Sequence, residues 1–256
     1  MIIDVNASLS RWPFRRLPCD EMPKFLDRLE RWNVGRAWVG SFDGLLHRDI
    51  GGVNARLAEQ CAKHPGARLV PFGSVNPKLP DWTEDLRRCA EDYRMPGVRL
   101  HPNYHGYTLD DPVFAQLLSL AEKRRLIVQL AVMMEDERVQ HPLMQVPHVD
   151  VKPLVKLVAA RPNLRLVILN SQRAVRGGLL RQLTDAGNVY FEIAQQEGVG
   201  GVSNLLKRIP LERVLFGSHF PFFNLESAVL KLRESELTPD QKEAITHKNA
   251  ERLMQG

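Results

Sequence analysis

Apolar and polar positions alternate along the chain in a repeating two-part pattern. Short runs rich in β-branched and aromatic residues are each followed by a longer stretch whose apolar residues recur at helical spacing. "MIIDVNA", "GRAWVGSF", "ARLVPFGSVNP", "MPGVRLHP", "LIVQLAV", "LRLVILN", "NVYFEIA" and "RVLFGS" read as strands. Between them, "MPKFLDRLERWN" sets Phe25, Leu26, Leu29 and Trp32 on one face, and "NARLAEQCAKH" does the same with Leu57, Ala58 and Cys61. Punctuation supports the division. Thr83 is the expected cap of the third helix, Pro112 opens the next, Gly187 ends a later one, and Thr238-Pro239 begins the last. Eight strand–helix units in 256 residues predict one α/β domain over residues 1–256, a (β/α)8 TIM barrel. An open doubly wound sheet is the alternative, but its glycine-rich first turn is missing: the first turn reads "NASLSRW".

Composition narrows the class further. Charged residues make up 25% and hydrophobic residues 44%, ordinary for a soluble globular protein. No apolar run is long enough to span a bilayer and no signal peptide is evident, so a membrane role is not expected. The net charge of +5 is spread through amphipathic segments such as "KFLDRLERW" and "LLKRIPLER", which argues against nucleic acid. Cys19, Cys61 and Cys89 are irregularly spaced, as expected of reduced thiols in a cytoplasmic protein.

In a barrel of this kind, chemistry belongs at the C-terminal ends of the strands. Asn6, Ser8, Trp12 and Arg15 follow the first strand, and Asp43 and His47 the second. The fourth ends in "LHPNYHGY", bringing His101, Tyr104 and His105, with Gly106 expected to make a tight bend. Gln129 and Glu135 belong to the fifth, Asn170 and Arg173 to the sixth, Glu192 to the seventh and His219 to the eighth. Of the eight histidines, His47, His101, His105, His141, His148 and His219 fall at or after strand ends. Imidazoles titrate near neutrality and serve as acid, base or ligand, so their crowding at one rim points to function. His219, His101 and His105 are the candidate catalytic residues. Asn6, Ser8, Trp12, Arg15, Asp43, His47, Tyr104, Asn170, Arg173 and Glu192 are the candidate substrate contacts. The long "EDERVQHPLMQVPHVDVKP" segment reads as a lid or an oligomer contact, and the apolar "FPFFN" as exposed surface suited to a dimer.

The chain resembles the metal-dependent hydrolases of the amidohydrolase superfamily, and within it the amidohydrolase-related group of amidases, lactonases and non-oxidative decarboxylases. "IIDVNAS" stands where the family shows Ile-Asp-x-His-x-His, and "GVRLHP" where many members show Gly-x-Lys-Leu. "RLVILNSQ" stands at a strand ending in His, "VLFGSHFPF" at Leu-x-Gly-Ser-Asp-x-Pro, and "NAERLM" at the closing Asn-Ala-x-Arg-Leu. The resemblance implies a metal-dependent-hydrolase-like barrel whose usual ligand positions are substituted. Asn6 and Ser8 replace the two strand-one histidines, the strand-five histidine falls near Ala131, the strand-six histidine at Asn170, and the strand-eight aspartate on His219. Amides and hydroxyls are poor zinc ligands, and alanine is none. Asp4, though part of the motif, is not a ligand and is expected to be structural.

The resulting expectation is a hydrolase acting without a metal cofactor on a small lactone, ester or cyclic carboxylate or sugar acid. A non-catalytic binding barrel is the alternative. So is a lyase or decarboxylase whose relocated zinc site is built from His101, His105 and His219 with Glu192 or Asp43.

Overall fold

The computed structural model describes residues 1–66, 68–171 and 174–256. Eight parallel strands follow one another in chain order: β1 (Ile2–Leu9), β2 (Val34–Ser41), β3 (Leu69–Ser74), β4 (Gly97–Leu100), β5 (Ile127–Ala131), β6 (Arg165–Leu169), β7 (Val189–Glu192) and β8 (Val214–Leu215). The sheet closes on itself where β1 meets β8. The Val5 amide donates to the Phe216 carbonyl at 2.9 Å and the Ser8 amide to Phe220 at 2.8 Å. The expected (β/α)8 barrel is the fold.

Side chains alternate in and out along each strand. Val98, Leu100, Val128, Leu130, Leu166 and Ile168 face outward into the shell beneath the helices. Ile3, Val5, Trp38, Phe72, Ile127, Val167, Leu169 and Leu215 face inward and fill the lower half of the barrel, where Trp38 stacks on Phe72 at 5.0 Å. Each such fully buried side chain contributes about 1.5–3 kcal/mol. Toward the C-terminal end the inward positions turn polar: Ile127 gives way to Gln129, Tyr190 to Glu192, and Gly97 to Arg99 and then His101.

The helices form as their apolar stripes require. α1 (Met22–Arg31) buries Phe25 and Leu29, and α2 (Ile50–Ala62) buries Leu57 and Cys61 beneath an Asp49 cap. The third helix, α3 (Trp82–Glu91), corrects one expectation. It begins a residue before Thr83, with Asp81 in the cap position, because Trp82 packs into the shell as part of its first turn. After α4 (Pro102–His105), the helix α5 (Pro112–Lys123) is opened by Asp111, whose side chain accepts from the Val113 amide at 3.1 Å.

The chain end explains its own motif. Thr238 and Gln241 form a reciprocal capping box, and the Asn249 side chain then donates to the Leu211 and Val214 carbonyls, both at 2.8 Å. This ties the last helix to β8 and lets Ala250 and Leu253 seal the inner core. Among the described residues no helix is long and apolar enough to cross a membrane.

Candidate functional site

The site begins with an irregularity in β1. Its pairing with β2 shifts register between Asp4 and Ala7. Before the shift Ile3 and Val5 face inward; after it Ala7 and Leu9 face the outer shell. One extra residue therefore turns Asn6 and Ser8 into the barrel, as a bulge beside a functional site does. Both residues lie within β1 rather than after it, because the bulge lets the strand continue to Leu9. Asp4 proves structural: it accepts from the Asn6 and Ser218 amides, both at 3.0 Å, and from the Ser218 hydroxyl.

Asn6 starts a hydrogen-bond chain across the barrel. Its amide donates to Asn170 Oδ1 at 2.9 Å, and Asn170 Nδ2 donates to the Met133 carbonyl at 2.8 Å and reaches His219 Nδ1 at 3.4 Å. His219 Nε2 lies 2.7 Å from the Met134 carbonyl, which only accepts, so the ring proton sits on Nε2 and Nδ1 presents a lone pair to Asn170. Burial and the nearby Arg99 pull the His219 pKa down to about 4, against the bond to Met134. This imidazole is neutral at pH 7 and both its nitrogens are engaged. Glu192 holds the Asn170 end, accepting from the Asn170 amide at 2.7 Å and from the Ala194 amide. Burial raises its pKa. Gly217 must lack a side chain here, since a Cβ would stand 2.5 Å from Glu192 Oε2.

Below this chain lies a buried cation. Arg99, 2% exposed, donates from Nε to Gln129 Oε1 at 2.8 Å, from Nη1 to the Ala7 carbonyl at 2.7 Å and Ser8 Oγ at 3.2 Å, and from Nη2 to the Trp38 carbonyl at 3.2 Å. Gln129 is oriented in turn by the Val5 carbonyl at 2.7 Å. The guanidinium lies against Gly40, whose Cβ would meet Arg99 Cδ at 3.0 Å. Burial lowers the Arg99 pKa to about 10, while Asp4 and Glu192 oppose the shift. The group stays charged and offsets those two carboxylates.

His101 and His105 flank the short helix α4, which replaces the expected loop; Gly106 ends it at φ 69°. Their rings are 6.1 Å apart. His105 Nε2 contacts the Gly44 carbonyl at 2.8 Å, while Nδ1 of each ring is buried without a partner in the protein. Burial lowers both pKa values. For His101 the fall is large, because His105, Arg99 and His219 add to it.

An aromatic cover closes the mouth. Trp12 makes edge contacts with Phe222 at 4.7 Å, Phe42 at 5.4 Å, Phe14 at 5.5 Å and Tyr104 at 6.2 Å. Phe222 stacks on His219 at 5.0 Å, and the Arg15 guanidinium lies over the same Phe222 ring, 5.3 Å from its centre. Arg15 also pairs with the buried Glu135 at 2.6 Å. The expectation that "FPFF" is exposed is therefore corrected. Phe220 is buried and Phe222 and Phe223 are half-buried, because the ring at 222 serves as the floor of the cover.

Of the sequence-derived candidates, Asn6, Asn170, Glu192 and His219 are joined by hydrogen bonds, whereas Ser8 accepts from Arg99 in a separate network. His101 and His105 lie beside this group, and Trp12, Arg15 and Tyr104 belong to the cover. Asp43 faces elsewhere: its carboxylate is 4.0 Å from Arg56, and with Ser8, Ser10 and Cys19 it lines a lateral cavity of about 360 Å³. His47 is exposed on the rim, and Arg173 lies outside the described residues. The candidate set omits Arg99, Ser218, Phe222 and Glu135. Arg99 had a legible signal, a lone charge inside a four-residue strand of otherwise apolar character. Ser218 and Phe222 had none.

Does the residue set fit the metal that the sequence resemblance implies? Asn170 accepts from Asn6 and donates to Met133, Ser8 accepts from a guanidinium, Ala131 has no ligating side-chain atom, and His219 has both nitrogens engaged. Among the described residues no group of three or more His, Cys, Asp or Glu side chains could hold a metal ion. Among the described residues, the donors at these positions do not fit a divalent cation.

Comparison with known proteins follows the fold. The sequence profile of the family described as amidohydrolase matches residues 14–255. No curated protein matches the chain. Among solved structures, 2,6-dihydroxybenzoate decarboxylase from Rhizobium is similar at 16% identity, with 99% of this chain and 98% of that one covered and a TM-score of 0.76. The 5-carboxyvanillate decarboxylase from Sphingomonas paucimobilis aligns at 14% identity over 99% and 98%, with a TM-score of 0.78. That from Novosphingobium aromaticivorans, solved with bound manganese, aligns at 13% over 100% and 97%, with a TM-score of 0.77. At these identities the likeness is one of fold.

Proposed function

The chain belongs to the amidohydrolase family, a family of enzymes, and from that premise we propose that it acts on a small cyclic carboxylate, lactone or ester by acid–base chemistry that needs no metal. The observation that carries this reading is His101. It is a buried, neutral imidazole at the functional end of the barrel, with Nδ1 unpartnered, and it stands where His105, Arg99 and His219 all influence it. A ring nitrogen left without a partner in such a place is available to exchange a proton with substrate or water, or to hydrogen-bond a substrate hydroxyl. His105 has its Nε2 fixed by Gly44 and holds its ring 6.1 Å from that of His101.

The other groups position rather than react. His219 is held in one tautomer between Met134 and Asn170, so it fixes the mouth and leaves proton transfer to His101. Arg99 supplies a permanent positive charge beneath Ser8. Arg15 is the accessible cation for a substrate carboxylate. Trp12, Tyr104 and Phe222 supply flat apolar surface for a ring.

That aromatic surface favours a second reading, decarboxylation of a ring-borne acid. His101 would first take a proton from a ring hydroxyl of the substrate and then deliver it to the carbon that bears the carboxylate; the carbon–carbon bond would break, and its electrons would restore the ring as carbon dioxide leaves. The similar solved structures named for dihydroxybenzoate and carboxyvanillate decarboxylases support keeping this reading.

The test is turnover by chelator-treated protein of a panel of lactones, aryl esters and hydroxybenzoates, read as acid release or carbon dioxide release. Activity in the treated wild type that His101→Ala removes supports the proposal, and the product tells hydrolysis from decarboxylation. Activity that appears only on adding zinc or manganese contradicts it. Binding of panel members without turnover makes the chain a binding barrel.

A further inference from the structure

His101 and His219 are each 2% exposed, so a substrate reaches them only if part of the cover moves. The segment bearing Trp12, Phe14 and Arg15 has no helix or strand of its own. It is bounded by two non-glycine residues in the left-handed region, Ser10 at φ 64° and Cys19 at φ 62°. Such conformations are uncommon outside glycine and persist only where neighbouring contacts hold them.

We propose that residues 11–18 form a strap that opens and closes as one piece over the barrel mouth, turning at Ser10 and Cys19 and latched by Arg15 on Glu135. The latch is a short ion pair between a 42% exposed Arg15 side chain and a 3% exposed Glu135 side chain. The partner is placed to respond to the site: Glu135 follows Met134, whose carbonyl holds His219, and Arg15 lies over the Phe222 ring that stacks on His219. Trp12 is the plug, buried among Phe42, Tyr104 and Phe222 with its indole nitrogen lacking a partner. Pro13 and Pro18 stiffen the segment, and the paired bonds from Arg16 to Asp20, at 2.6 and 2.7 Å, anchor its far end. Trp12 and Leu17 are the buried residues of the strap, so the contacts that oppose opening are concentrated at the rings around Trp12 and at the Arg15 latch. An anionic substrate group would exchange with Glu135 for Arg15, which makes strap opening sensitive to charge.

The inference rests on the reading that the reacting groups lie beneath this mouth, but its test reads access rather than turnover, so the two can fail separately. The full chain is treated with diethyl pyrocarbonate at neutral pH, and carbethoxylation of His101 is followed by mass spectrometry in wild type, Arg15→Gln and Glu135→Gln. Labelling of Cys89 by a maleimide, at a fully buried site in the outer shell, runs in parallel. Breaking the latch is expected to speed His101 modification by about tenfold, with Cys89 labelling unchanged. His101 rates equal to wild type in both variants would overturn the strap. So would a rise in Cys89 labelling in step with His101, since the whole barrel would then be loosening.

Discussion

Asn170 and His219 both hold left-handed backbone, at φ 55° and 58°, and face each other across 3.4 Å between amide and imidazole. Only a few per cent of non-glycine residues adopt this region, asparagine and histidine among the more frequent. Two such residues at the ends of β6 and β8, the strands on either side of β7, mean that contacts dictate the backbone there. The contacts are the bond from His219 to Met134 and those of Asn170 to Met133, Asn6 and Glu192.

Titration of His219 follows from this arrangement. Its folded pKa is about 4, against about 6.5 for an unfolded histidine. Between those values the unfolded chain binds a proton that the folded chain does not. The histidine's contribution to stability is therefore full above about pH 6.5 and is lost as pH falls toward 4, at up to about 1.4 kcal/mol per unit. Asp4 and Glu192, raised by burial, act with the opposite sign: their contribution is present at low pH and lost as pH rises through their folded values. Comparing wild type with His219→Gln by urea unfolding cancels the carboxylates. The variant is expected to be about 1–3 kcal/mol less stable at pH 7, with the gap narrowing toward pH 4. A gap independent of pH would show that His219 titrates normally.

Arg99 and Gly40 form a second testable pair. Arg99→Met leaves Asp4 and Glu192 without their buried cation and should cost about 3–5 kcal/mol. Gly40→Ala puts a methyl 3.0 Å from Arg99 Cδ and 3.1 Å from Nε and Nη1, and should cost about 1–3 kcal/mol. Because the alanine acts by displacing the guanidinium, it should cost less in the Arg99→Met background. Equal costs in both backgrounds, measured by denaturant titration, would mean that Gly40 serves something else.

The cysteines should separate cleanly. Burial pushes the Cys61 and Cys89 thiols up to about 12, whereas Cys19 is half-buried at the edge of the lateral cavity. Ellman titration at pH 8 is expected to count one thiol in the native chain and all three free cysteines after denaturation. A second reactive thiol in the native protein would contradict the packing beneath α2 and α3.

The barrel was legible in the sequence because buried parallel strands are continuous apolar runs and the covering helices carry amphipathic stripes. Polar positions at the rim were legible too, since Asn170, Glu192 and His219 fall at strand ends, and the structure joins them to Asn6 by hydrogen bonds. What escaped depends on long-range geometry. A one-residue bulge in β1 leaves no local mark on "IIDVNAS", and the left-handed backbone at Asn170 and His219 is set by partners distant in the chain. The phenylalanines of "FPFFN" look exposed until Trp12 is packed on Phe222 and Phe25 on Phe220, both about two hundred residues earlier in the chain. Thr83 looks like a cap because hydroxyls usually cap, but Trp82 anchors the turn ahead of it.

Metal content tests the central claim most directly. The protein should be purified without chelator, incubated with zinc or manganese, passed through a desalting column and assayed by elemental analysis, alongside His101→Ala and His219→Ala. With amides, a hydroxyl and an engaged imidazole where ligands would stand, metal is expected far below one equivalent per chain in all three proteins. One equivalent in the wild type, lost in either variant, would contradict the account and place a metal site among these histidines.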